Sequence, residues 1–178
     1  MNGIASLLDP STNSRVEDIW QELESKCGLK GVRITPFPHF TWQVTEGYDL
    51  PKLERVLRSI SRHTLPFSIH TDGLGIFTGE KPVVYISIFK DELLMKLHSR
   101  LWEQTEAFAT DPILLYSPTQ WIPHITLAYD DLGRDNLDCA FQTLVFQSYN
   151  WEIKIDNLIY IGQSSDQTTQ TGKYLLGK

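Results

Sequence analysis

Pro38-His39-Phe40-Thr41-Trp42 and Pro123-His124-Ile125-Thr126-Leu127 are the two stretches that decide how this chain folds. Each reads proline, histidine, hydrophobic, threonine, hydrophobic, and each sits in an apolar run with strand character. Side chains in a strand alternate between faces, so His39 and Thr41 share one face while Phe40 and Trp42 share the other. His124 and Thr126 repeat the arrangement, with Ile125 and Leu127 opposite. The sequence thus presents an imidazole beside a hydroxyl twice, on strands anchored by an apolar back. One His-x-Thr triplet is a common coincidence; two in matching contexts, in a chain with five histidines, are a much stronger signal.

Outward from these stretches the two parts of the chain repeat one another. Residues 3–8 read as a strand. Ser14-Arg15-Val16-Glu17 has capping-box form, and Val16, Ile19, Trp20, Leu23 and Cys27 follow at helical spacing until Gly28 stops them. The first motif strand spans about 37–44, and Leu53, Val56, Leu57 and Ile60 mark a helix after Pro51. Residues 67–70 and 74–77 predict two strands around an Asp72-Gly73 turn. A strand at 83–89 starts the pattern again, and a helix with Leu94, Leu97, Leu101 and Trp102 follows Asp91. The loop 112–118, the second motif strand 121–129 and a helix with Leu137, Ala140, Phe141 and Leu144 come next. Strands 151–155 and 158–161 read as a closing pair around Asp156-Asn157, before a polar tail with an apolar patch at 174–176. His39 to Phe67 is 28 residues and His124 to Trp151 is 27, so the spacing supports a duplication. The expected fold class is α+β: bilobal, duplicated strand-helix-strand-helix-strand-strand units whose antiparallel sheets flank a central cleft. Residues 1–178 form a single domain on this reading, with lobes of approximately 1–80 and 81–178.

Composition bounds the function. The 178 residues are 41% hydrophobic and 21% charged, enough for a real core. No apolar run approaches the ~20 residues of a membrane span, and no secretory signal is expected at the start of the sequence. A net charge of −6 argues against a duplex-DNA surface. Cys27 and Cys139 stand in no metal or redox spacing, so reduced thiols in a cytoplasmic protein are expected.

Two opposed imidazoles suit an in-line phosphoryl displacement without a metal. One neutral histidine takes a proton from the attacking oxygen and the other, protonated, gives one to the leaving oxygen. Hydroxyls at Thr41 and Thr126 can donate to the non-bridging phosphate oxygens. The pair His39-Phe40-Thr41 and His124-Ile125-Thr126, with Asp72-Gly73-Leu74-Gly75-Ile76-Phe77 and Pro82-Val83-Val84-Tyr85 between them, resembles the 2H phosphoesterase superfamily of 2′-5′ RNA ligase-like proteins and cyclic phosphodiesterases. The resemblance runs from the first strand to about Gly162. It implies a bilobal α+β fold with the motif strands lining a groove, and hydrolysis of 2′,3′-cyclic phosphates or related 2′-linked phosphodiesters of nucleotides or RNA ends. On that basis His39 and His124 are catalytic and Thr41 and Thr126 bind the substrate phosphate. Phe37 is the candidate for stacking a base. No cofactor or metal is expected; the partners are a nucleotide or RNA-end substrate, not duplex DNA or a membrane, and the chain is expected to be a monomer.

Alternatives share the site. A 2′-5′ RNA ligase or an oligonucleotide-trimming nuclease differs in substrate, and a non-catalytic nucleotide or RNA-end binding module differs in lacking turnover. A metal phosphohydrolase would enlist Asp130 and Asp131 beside His124, although Gly133 makes a turn the simpler role for them. His63, His70 and His98 read as structural. Trp42, Tyr85 and Tyr129 read as core, and Gly73-x-Gly75 as hairpin geometry.

Overall fold

A computed structural model describes residues 2–164 and 167–178, with the side chains of 2–162 and 169–178. The chain runs β1 (Asn2–Leu7), α1 (Pro10–Cys27), β2 (His39–Thr45), β3 (Gly47–Tyr48), α2 (Leu50–Arg62), β4 (Phe67–Phe77), β5 (Val83–Ile88) and α3 (Glu92–Thr105). It continues through β6 (Ala109–Thr110), β7 (His124–Ala128), α4 (Leu137–Leu144), β8 (Glu152–Ile155), β9 (Asn157–Ser164) and β10 (Gln167–Leu175). No helix among the described residues is long and apolar enough to cross a membrane.

The long helices start where a carboxylate can accept their first amides. Asp9 accepts from the Ser11 and Thr12 backbone amides at 3.0 and 3.1 Å, Asp49 from Lys52 and Asp91 from Leu94. Helix α1 therefore begins well before Ser14, where the capping-box pattern placed it: Asp9-Pro10 supplies both the cap and a first residue preset for the helix. It ends at Gly28 in the left-handed region (φ 72°), as the sequence predicts.

Eight strands form one antiparallel sheet in the order β10-β9-β1-β2-β7-β5-β4-β8, and β3 pairs with β6 separately. The two motif strands are the central neighbours. Two expectations need correction. Residues 67–77 are one bulged strand rather than a hairpin: the register slips between Thr71 and Leu74, where Gly73 takes φ 82°. The first half of β4 pairs with β8 and the second with β5, so the glycine bends one strand between two partners. Strands β8 and β9 are likewise not a pair. They lie towards opposite edges of the sheet although only Asp156 separates them, which requires the sheet to curl strongly on itself. One half of the sheet, β10-β9-β1-β2, draws on both ends of the chain, and the other, β7-β5-β4-β8, on its middle. The two halves of the sheet thus draw on interleaved parts of the sequence.

The main core lies between the helices and one face of the sheet. It gathers Trp20 and Leu23 of α1, Leu57 of α2, Leu94 and Leu101 of α3, and the inward residues Phe40, Trp42, Ile125 and Leu127 of the motif strands. A small second cluster of Ala5, Ile159 and Ile161, with Leu7 and Phe37 against it, occupies the other face.

Cys27 and Cys139 form a disulfide, with Cα atoms 5.7 Å apart across 112 residues of sequence. The expectation of reduced thiols is overturned, and with it the cysteine argument for a cytoplasmic location. Spacing in sequence reports only local motifs; here α1 and α4 pack side by side and bring distant cysteines into bonding geometry.

Candidate active site

Strands β2 and β7 meet at a single antiparallel pair, Phe40 opposite Ile125. Each is the middle residue of its motif, so a local twofold axis through this pair exchanges His39 with His124 and Thr41 with Thr126. Phe40 and Ile125 are fully buried, while all four motif side chains are half-exposed on the opposite face. The register aims His39 towards Thr126 and Thr41 towards His124. The imidazoles therefore stand on a diagonal, their Cβ atoms roughly 7 Å apart by ordinary strand geometry, with room for one tetrahedral group between them.

Both imidazoles are held alike. His39 Nδ1 lies 3.0 Å from the Phe37 carbonyl and His124 Nδ1 2.7 Å from the Ile122 carbonyl. A carbonyl only accepts, so Nδ1 carries the hydrogen and donates, leaving Nε2 as the exchangeable nitrogen on each ring. The accepting carbonyl in each case precedes a proline, Pro38 or Pro123, whose ring confines its predecessor to extended geometry. That gives the proline shared by the motifs a mechanical role. Burial pushes both imidazoles below their ordinary value of 6.5, and the charge of His124 lowers His39 further.

The strands are propped from beneath in the same paired fashion. Trp121 donates its indole N–H to the Thr41 carbonyl at 2.9 Å, and Trp20 donates to the Thr126 carbonyl at 3.0 Å. Under Trp121, His98 stacks at 3.8 Å and places Nε2 3.1 Å from the Trp42 carbonyl. Burial pushes His98 down to about 4, so it stays neutral at physiological pH and is structural, as its sequence context suggests. His63 and His70 lie exposed, on the end of α2 and on β4.

The aromatic surroundings differ between the halves. Phe37 sets its ring edge-on to His39 at 5.7 Å. Phe77 and Tyr85 each lie 5.0 Å from the His124 ring, and neither was singled out in the sequence as a neighbour of that histidine. Tyr85 stands opposite Thr126 on one side and Gly75 on the other. A Cβ on Gly75 would come within 2.4 Å of the Tyr85 ring, so glycine is there to let that ring lie across β4. Gly75→Ala should therefore tilt Tyr85 against His124. An overpacking cost of about 1–3 kcal/mol in a urea titration is expected, together with a changed pH dependence at the site. Retained stability and an unchanged pH profile would show the ring has slack.

Asp130 and Asp131 serve the scaffold. Asp131 accepts from the Lys30 and Gly31 backbone amides at 2.7 Å each, tying the turn Gly31–Ile34 ahead of β2 to the end of β7. Asp130 occupies the left-handed region (φ 73°) and pairs with Lys81. Among the described residues no group of three or more His, Cys, Asp or Glu is arranged to hold a metal ion. Trp42 and Tyr85 are buried, as their core reading expects, but Tyr129 is not core: it follows the end of β7 and is exposed.

A curled antiparallel sheet with helices on one face and paired His-x-Thr strands at its centre defines a class as well as a fold. The sequence model of the 2′-5′ RNA ligase superfamily matches residues 9–166, and the chain belongs to that superfamily, the 2H phosphoesterases. No curated protein matches its sequence. Among solved structures it is similar to TT0787 of Thermus thermophilus, at 18% identity and TM-score 0.66 over 99% of this chain and 97% of that one. E. coli LigT complexed with 3′-AMP superposes at TM-score 0.59 and 13% identity, covering 99% and 98% of the two chains. Kluyveromyces marxianus Usb1 with uridine monophosphate does so at 0.52 and 10%, covering 98% of each. At these identities the likeness establishes a common fold.

Proposed function

We propose that the chain is a metal-independent phosphodiesterase that opens 2′,3′-cyclic phosphates or related 2′-linked phosphodiesters of nucleotides or RNA ends. The observation that carries the reading is the Phe40–Ile125 pair, which sets two Nδ1-tethered imidazoles on either side of one gap with a hydroxyl beside each. Nucleoside monophosphates bound to LigT and Usb1, relatives of the same fold, support the substrate class.

In this mechanism water attacks phosphorus in line with the leaving sugar oxygen. His39 Nε2 takes the water proton as the new O–P bond forms, and His124 Nε2–H gives its proton to the ribose oxygen as its P–O bond breaks. The product is a phosphomonoester, and the two rings exchange protons with solvent before the next cycle. Thr41 and Thr126 donate to the non-bridging oxygens. We write His39 as the base and His124 as the acid; the repulsion between two imidazolium charges disfavours protonating both rings together, so the pair shares a single proton in the working state.

The test is turnover of a 2′,3′-cyclic mononucleotide in EDTA. Activity should persist in chelator, and kcat/KM should follow a bell whose maximum lies below pH 6.5. The sign follows from the free enzyme. The base works only above its depressed pKa and the acid only below its own, and both lie under the ordinary imidazole value. A profile rising through pH 8, or loss of activity in EDTA restored by a divalent cation, would sink the mechanism.

A further inference from the structure

Beside His39 a cleft of about 560 Å³ opens on the same face of the sheet. Two of its walls are direct neighbours of the imidazole: Phe37, edge-on at 5.7 Å, and Leu7, which stands opposite His39 across the β1–β2 pair. The register carries the line outward. Thr41 faces Ala5, Ala5 faces Ile159 and Ile159 faces Lys173, while Ile161 faces Gln170. Opposed residues share a face, so Lys173 and Gln170, which both line the cleft, stand on the surface that carries His39 and Thr41. Phe37 is the partition, with the imidazole at its edge, the small apolar cluster against it and the cleft beyond.

We propose that this cleft receives the penultimate nucleoside of an RNA end, one phosphodiester removed from the terminal nucleoside that carries the reacting phosphate, so that the end of an oligonucleotide is preferred to a mononucleotide. The inference rests on the phosphodiesterase reading above and extends it to substrate length. The volume falls within the range of small-molecule sites. An aromatic wall offers a base a stacking surface of roughly 1–3 kcal/mol, and the Asn13 and Gln170 amides can meet its polar edge. Lys154 and Lys173 make no ion pair among the described residues and stand ready for a backbone phosphate. The carboxylates that border the cleft are already engaged. Asp9 caps α1, Glu17 accepts from Asn13, and Asp156 accepts from Asn157.

The experiment compares a dinucleotide ending in a 2′,3′-cyclic phosphate with the matching 2′,3′-cyclic mononucleotide. Wild type should favour the dinucleotide about tenfold or more in kcat/KM. Gln170→Trp, which fills the cleft from an edge strand that tolerates an aromatic residue, and Lys173→Glu should bring that ratio close to one. Mononucleotide turnover should stay within about twofold of wild type. A wild-type ratio of one, or a ratio the variants leave untouched, overturns the inference alone. If neither substrate turns over, the phosphodiesterase reading fails instead. Calorimetric binding of a dinucleotide with a 3′-terminal phosphate then judges the cleft: tenfold tighter binding than a 3′-mononucleotide, lost in Gln170→Trp, supports it, and equal binding overturns it.

Discussion

His39→Ala and His124→Ala should each lower kcat on a 2′,3′-cyclic phosphate by about 10²–10⁴-fold, the usual worth of a positioned general acid or base, while leaving the fold intact. Both rings are half-exposed, and the residues that anchor their strands, Phe40, Trp42, Ile125 and Leu127, are untouched core. Each substitution forfeits one hydrogen bond to a backbone carbonyl, about 1 kcal/mol of stability. The two losses should not multiply. Proton removal and donation serve one displacement, so the double variant should fall little below the worse single one. Each single variant should also lose one limb of the pH profile, the acid-side fall for His39→Ala and the alkaline-side fall for His124→Ala. Thr41→Val and Thr126→Val test a different link, since a lost donor to phosphate weakens stabilisation of charge without removing a proton carrier. They should cost less and keep the bell shape. Steady-state kinetics across pH, with circular dichroism on each variant, reads all of this. A His39→Ala enzyme at full rate would end the two-histidine reading whatever the fold.

How much of this was legible in the sequence depends on the range of the interaction. The period-two alternation of Phe40 and Trp42 against His39 and Thr41 is a property of adjacent residues, and it holds in the structure. The duplicated motif suggested opposed strands, and the Phe40–Ile125 pair gives that opposition an axis. What the sequence could not show is pairing between distant strands. An Asp-Gly step reads as a hairpin when only local turn chemistry is visible. In the sheet it is a bulge, because residues 67–70 and 74–77 find different partners on opposite sides. The closing strands looked paired for the same reason, and only the curl of the whole sheet sends β8 and β9 apart. Tyr85 and Phe77 escaped notice as neighbours of His124 because nothing local sets them beside it. The one available signal was Gly75, a glycine inside a strand, which often marks close approach of another group.

The disulfide is the largest stability term that the sequence concealed, and breaking it should cost about 4–5 kcal/mol. The bond closes a loop of 112 residues, and the entropy removed from the unfolded chain grows with the logarithm of that length. For a domain of this size the loss corresponds to a fall of about 10–20 °C in Tm. Cys27→Ser, Cys139→Ser and the wild type in reductant should therefore melt together, well below the oxidised protein. Chemistry at the site should be spared at temperatures below the transition. Cys27 closes α1 two turns beyond Trp20, whose indole holds the Thr126 carbonyl from deep in the core, and its sulfur lies against the Thr143 hydroxyl of α4. Scanning calorimetry with and without reductant, paired with kcat at 25 °C, separates the two effects. A Tm indifferent to reductant, with two titratable thiols, would mean that the bond does not form in solution. A parallel loss of kcat in the folded, reduced protein would mean that α1 transmits strain to the motif strands, contrary to the independence of helix terminus and seam argued from Trp20.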